Sequence, residues 1–342
     1  MKAHALRIGK AMSAALFVLL LVAVGSKNAL AQTQVATLQH GEDISVFYGQ
    51  NAFVEAHNAA ETGDIITLSS GTFTPTNITK AITLRGAGCV IDTVTGIYPT
   101  IIPNSFQMNV TDETGFLTVE GIYFSGTANY GNLNHPKFVK CNIENLHDAS
   151  GANMQNAQFV NCKVKYFNFG YTANTTLINC AISGIVGLGD VSRTVTAYNC
   201  FLRLHADAYA MNAYNCIIGQ NGGYDSLESS SIAYNSIGIR NTGYGTPIFN
   251  GITTFNCLGY SSYASVFETY SGGDIYNQQF ILIDEIATGF LGTDGTEVGI
   301  RGGIMPYNSR PSYMVIEQCN VANRSTIDGK LSVEIEVSTQ GE

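Results

Sequence analysis

Lys165 and Arg203 each stand three residues after a cysteine, Cys162 and Cys200, that opens a short apolar pattern. Tyr166 lies beside Lys165, and His205 and Asp207 follow Arg203. A lysine or an imidazole can act as the base that removes a proton beside a carboxylate, while an arginine neutralises that carboxylate as charge develops. This is the chemistry of a polysaccharide lyase acting on a uronate-containing chain, with Lys165 or His205 as base and Arg203 as clamp. The ligand-binding set would be Tyr166, Lys165, Arg203 and Asp207. The same residues also suit a solvated face on which a few charges keep the surface soluble, and the parity of His205 equally allows it to point into a core or a turn.

Whether such residues meet depends on a repeat. Six cysteines fall at 141, 162, 180, 200, 216 and 257, and five follow an asparagine: Asn161, Asn179, Asn199, Asn215 and Asn256. Asn235-Ser236 fills the gap before 257, and Gly121-Ile122 occupies the same slot upstream. Seven steps span the 135 residues from 122 to 257, a mean of 19.3, which is the mark of a solenoid. Apolar or small residues recur three before the slot (Val119, Phe138, Phe159, Leu177, Ala197, Ala213) and two after it (Phe124, Ile143, Val164, Ile182, Leu202, Ile218). Slot and slot-plus-two are then inward positions of one short strand. The residue before the slot reads as a turn, because Asn and Gly tolerate the left-handed conformation. Stacking would set these asparagines above one another, amide bonded to amide. The cysteines read as small buried thiols rather than metal ligands. A leucine-rich repeat has a similar period, but coils such as 231–237 contain no leucine. Glu144, Lys165, Ser183 and Arg203 form one outward strip, with Lys165 and Arg203 two coils, about 10 Å, apart.

The chain begins with Lys2, Arg7 and Lys10, an uncharged run from Ala11 to Val24, and the small-residue stop Ala29-Leu30-Ala31. That pattern is a signal peptide over 1–31, and the remaining chain has no run long enough for a transmembrane segment. Removing its four basic residues leaves 13 Lys+Arg against 26 Asp+Glu, a formal charge of −13. An acidic surface excludes nucleic acid and anionic membranes as natural partners. The expected location is outside the cytoplasm, either periplasmic or extracellular at a bacterial cell surface.

Residues 51–60 form an Ala-rich amphipathic stretch ended by Gly63, the pattern of a short capping helix. Ile65-Ile66-Thr67-Leu68, Ser70-Gly71-Thr72-Phe73 and Ile82-Thr83-Leu84-Arg85-Gly86-Ala87-Gly88 follow. This order resembles the N-terminal opening of secreted bacterial right-handed parallel β-helix proteins of the pectin-lyase-like superfamily. The resemblance covers roughly 45–290 and implies an all-β solenoid. It also brings pectate lyases and polygalacturonases into view, but the chain has no tryptophan, no adjacent Asp-Asp and no Gly-His-Gly, and it lacks the Trp-Ile-Asp-His and Arg-x-Pro-x-x-Arg motifs.

The expected organisation is a signal peptide over 1–31, a parallel β-helix with its N-terminal cap over 32–290, and an irregular β C-terminal cap over 291–342. That tail resembles the ending of uncharacterised secreted β-helix proteins. Its Asp294-Gly295 pair raises a calcium loop, but without the spacing of the other ligands a hairpin turn is favoured. No cofactor is expected. A tyrosine cluster (Tyr244, Tyr260, Tyr263, Tyr270, Tyr276) could stack on sugars or fill turns. The expected function is a non-catalytic surface for a polysaccharide or a cell-surface protein. The alternative is a lyase or glycoside hydrolase.

Overall fold

The computed structural model describes residues 34–92, 96–112, 114–186, 194–205, 208–220, 226–227, 229–240, 248–270, 275–310, 314–321 and 333–339. Residues 1–31, Asp207 and Tyr244 lie outside them.

Two twelve-stranded sheets form a parallel β-solenoid. The first begins with an antiparallel hairpin, Val35–His40 and Asp43–Tyr48, that pairs with Ile65–Leu68. Parallel rungs then follow from Thr83–Arg85 to Thr253–Phe255. The second sheet runs from Gly71–Thr72 to Leu258–Tyr260 and contains the strands that follow each cysteine. The hairpin carries no repeat signature.

The inward columns are those the period predicts. Phe138, Phe159, Leu177, Ala197 and Ala213 are fully buried, as are Phe124, Ile143, Val164, Ile182, Leu202 and Ile218. Phe138 and Phe159 stack at 4.8 Å. Between these columns the thiols stack in the core, with the Cys162, Cys180 and Cys200 amides donating to Sγ of the next coil at 3.4–3.5 Å. Ser236 Oγ takes the same place for the Cys216 amide at 3.1 Å. Burial is the largest influence on Cys162, Cys180 and Cys200 and opposes ionisation of all three, the opposite of what activates a nucleophile.

Every turn asparagine has a left-handed φ, from +42° at Asn235 to +55° at Asn215, and Gly121 and Lys140 share it at +66° and +52°. Their side chains, however, do not form the expected ladder. Asn179 donates Nδ2 to Ile300 O (3.0 Å) and Gly302 O (2.7 Å), Asn215 Oδ1 accepts from the Thr293 amide (2.9 Å), and Asn235 donates to Leu291 O (3.1 Å). The C-terminal segment passes over this corner and supplies fixed backbone partners. An amide ladder forms at another corner instead, from Asn174 to Asn156 to Asn134 at 3.2 and 3.3 Å.

Residues 263–270 and 275–310 form a strap across the outer face of the second sheet. Ala181, Phe201, Ile217 and Ile237, one residue after the slot, pack against Val266, Phe267, Tyr270, Phe280, Val298 and Ile300 of the strap. Tyr263 and Tyr270 are therefore packing residues, with Tyr270 edge-on to Phe201 at 5.2 Å. Asp294-Gly295 is a turn: Asp294 Oδ1 accepts from the amide and hydroxyl of Thr296. Beyond the strap, Met314–Val321 and Val333–Thr339 form an antiparallel pair.

Helix α1 (Ala52–Ala59) buries Ala52, Phe53, Ala56 and His57 against the first coil. Lys80 closes its C-terminus, donating Nζ to the carbonyls of His57, Asn58 and Ala60 at 2.7–3.0 Å. A cation here satisfies carbonyls that have no partner within the helix. Burial first, and the Lys80 charge second, lower the His57 pKa from 6.5 to about 4. The Thr79 amide donates to its Nε2 at 3.3 Å, which requires a neutral ring.

Two predictions follow from these contacts. Asn179→Ala should lower the unfolding free energy by about 2–4 kcal/mol, because alanine disfavours the left-handed φ and two carbonyls lose their donor. Asn179→Gly keeps the φ, so its urea midpoint should fall between those of wild type and the alanine variant. For His57, the folded state binds fewer protons than the unfolded one, so its contribution is complete above pH 6.5 and is lost as pH falls towards about 4. Urea midpoints across that window should decline less steeply in His57→Gln than in wild type.

Candidate functional site

The outward strip exists, but most of its groups are held by protein partners. Lys165 forms an ion pair with Glu144 at 3.0 Å, and Tyr123 donates its hydroxyl to the other Glu144 oxygen at 2.9 Å. Ser183 donates to Lys165 O at 3.0 Å. Arg203 donates Nε to Ser183 O at 2.7 Å and reaches the Tyr270 hydroxyl at 3.4 Å. Lys165 thus turns towards the preceding coil, while Arg203 braces the strap.

Two predicted residues do meet: the rings of Tyr166 and His205 lie 6.0 Å apart, tilted by 41°. His205 is exposed, which resolves its parity outward. Tyr166 lies over Gly184, where an ideal Cβ would come 2.5 Å from Tyr166 Cδ1. Asp207 lies outside the described residues. Lys165, Arg203 and His205 share one face, with Lys165 engaged by Glu144 and Arg203 by Ser183 and Tyr270.

A different column has the form of a binding surface. Two residues before the slot, Tyr198, Tyr214, Tyr234 and Phe255 are in register on adjacent rungs of the first sheet. Their rings stack at 5.0, 5.1 and 4.5 Å, with interplanar angles of 14°, 4° and 7°. The end rings are open to solvent, Tyr198 at 41% and Phe255 at 47% exposure, while Tyr214 and Tyr234 are half-buried. Val139, Val160 and Ile178 continue the column on earlier coils. Beside it runs a mostly polar column, Thr176, Thr196, Asn212, Ile232 and Thr253. The signal was present as Tyr-Asn-Cys at 198–200 and 214–216, with Tyr-Asn-Ser at 234–236 and Phe-Asn-Cys at 255–257.

Sequence reasoning also missed Asn142 and Lys163, both buried at the position one after the slot. Lys163 donates to Tyr276 O at 3.0 Å and Gln278 O at 2.9 Å. Its signal is a polar pair in a column that is otherwise apolar from 181 onward.

Gly184→Ala should displace Tyr166 from His205 and lower stability by about 1–3 kcal/mol, since the added methyl also meets Lys165 O at 3.0 Å. A melting curve and the imidazole NMR resonances of His205 would check this. No protein-family model, curated protein or solved structure matches this chain, so its function has to be read from the geometry of these residues.

Proposed function

We propose that this chain is an exported, non-catalytic β-solenoid that binds an extended neutral polysaccharide along the Tyr198–Tyr214–Tyr234–Phe255 column. The observation that carries the reading is the register of that column. Four aromatic groups repeat at ring spacings of 4.5–5.1 Å. This is comparable to the advance per sugar in an extended β-linked chain. Because the rings stack on one another, they turn their edges outward, where they offer apolar contact to a sugar chain, while the tyrosine hydroxyls and the adjoining Thr and Asn residues offer hydrogen bonds.

Charge favours a neutral ligand over a polyanion. The chain carries a formal −9, and −13 without residues 1–31. Export rests on the basic, apolar and small-residue order of 1–31. Membership of the right-handed pectin-lyase-like superfamily rests on the helix-and-strand order of its N-terminal region. Against a lyase or hydrolase stand the missing motifs and the engagement of Lys165 by Glu144 and of Arg203 by Ser183 and Tyr270.

The test is affinity electrophoresis against β-glucan, xylan, mannan and polygalacturonate, run in parallel with assays for new reducing ends and unsaturated products, with and without calcium. Retardation by a neutral polymer is expected, weakened roughly tenfold or more in Tyr214→Ser/Tyr234→Ser, because both central rings and their hydroxyls are removed from the column. Cleavage of any polymer, or binding indifferent to the double substitution, would sink the proposal.

A further inference from the structure

Between the coil carrying Cys89 and the strap lies a cavity of about 730 Å³. Sites for small molecules commonly span a few hundred to about 1,000 Å³. Asn142 and Lys163 line it from the second sheet, at only 3% and 4% exposure. Asn142 donates Nδ2 to Cys89 O at 3.2 Å, while its buried Oδ1 has no hydrogen-bond partner among the described residues. Tyr307 lines the strap side, with its ring 4.9 Å from the Lys163 ammonium and its buried hydroxyl likewise unpartnered among the described residues. A native interior rarely leaves two such atoms unsatisfied beside one cavity, and a bound molecule is the simplest way to satisfy both.

The charge of the lining narrows the choice of molecule. Acidic residues outnumber basic ones 26 to 17 in the chain, yet the described lining contains Lys163 and Arg301 and no carboxylate. Arg301 is the outer of the two and also meets Glu297 at 3.5 Å. Lys163 is the deeper charge, fixed by the carbonyls of Tyr276 and Gln278. Positive charge in a water-poor wall attracts an anion more strongly than the same charge in bulk water. Asn142 Oδ1 accepts only, so the molecule must also bring a donor.

We propose that this cavity binds a small hydroxycarboxylate, with the carboxylate drawn towards Lys163 and Arg301 and a hydroxyl donating to Asn142 Oδ1. The site lies on the second sheet and does not depend on the polysaccharide reading of the aromatic column.

Isothermal titration of the full chain with malate, gluconate, succinate and glycerol tests it. Succinate is malate without the hydroxyl, and glycerol has hydroxyls without the charge. Saturable binding of malate or gluconate is expected, with malate at least roughly tenfold tighter than succinate if malate is the one that fits, and no saturation by glycerol. Lys163→Met should weaken the hydroxycarboxylate at least roughly tenfold, and Asn142→Leu should erase any preference for malate over succinate, each variant being checked for folding by circular dichroism. If a variant fails to fold, the wild-type comparison alone decides. Failure of both malate and gluconate to saturate, or succinate binding as tightly as the hydroxycarboxylate that saturates, overturns the proposal.

Discussion

Each repeat coil turns at one residue whose φ lies near +50°, and the rest of the molecule depends on that constraint. A left-handed residue bends the chain between the two sheets within a single peptide unit and returns the next strand to the same register. Asparagine is suited to it because its short amide tolerates this φ and can still bond locally or across a seam. At Lys140 the same corner is made by a residue with no such tolerance, held by the hydrogen bond from its amide to Val160 O at 2.9 Å. Backbone pairing with the next coil, set by the parallel register, outweighs the local preference of one residue.

Fixed register turns positions in the repeat into columns, and each column multiplies the property of its residue type. The slot column accumulates small thiols in the core, and two residues earlier the column accumulates stacked rings on the surface. One residue after the slot the column changes character. Tyr123, Asn142 and Lys163 give way to Ala181, Phe201, Ile217 and Ile237. The apolar stretch would be exposed on a bare solenoid, and its burial under Phe267, Tyr270, Phe280 and Ile300 is what holds the strap down. Where the column is polar the strap cannot pack as closely, and the cavity lies at that change.

Most of the solenoid was legible because its information is periodic and local. The cysteine spacing alone located the inward columns and the left-handed turns, and a short amphipathic stretch ending in Gly63 located α1. The strap was not legible, because its contacts join Asn179 to Gly302 and Lys163 to Gln278, across more than a hundred residues with no shared period. The partners of the turn asparagines were misread for the same reason: stacking predicts neighbours along the axis, while fixed carbonyls arrived from the side. The candidate strip was located by spacing, yet its electrostatics depended on Glu144 and Tyr270, whose reach no spacing reveals. The aromatic column lay inside the repeat all along. Its residues stand beside a turn, where Tyr and Asn suit the bend as well as they suit a surface, so type and spacing alone do not mark it as a binding face.

Lys163 and Lys165 show how finely this architecture sorts similar residues. They are two positions apart on one strand and both point away from the core, yet one is 4% exposed and the other 42%. Lys165 lies beyond the strap's tight packing and meets a carboxylate in partial contact with water, an arrangement that contributes little to stability. Lys163 lies beneath the strap, where desolvating an ammonium is expensive unless carbonyls and ring faces replace the lost water. Tyr276 O, Gln278 O and the Tyr307 ring supply that replacement, and all three belong to the strap. The buried lysine therefore depends on the strap, whereas the exposed lysine takes its carboxylate from the neighbouring strand of its own sheet. Of the two cations, it is the one absent from the sequence-level strip whose charge has been taken out of water and fixed beside a cavity, which is where a charge acts most strongly on a small molecule.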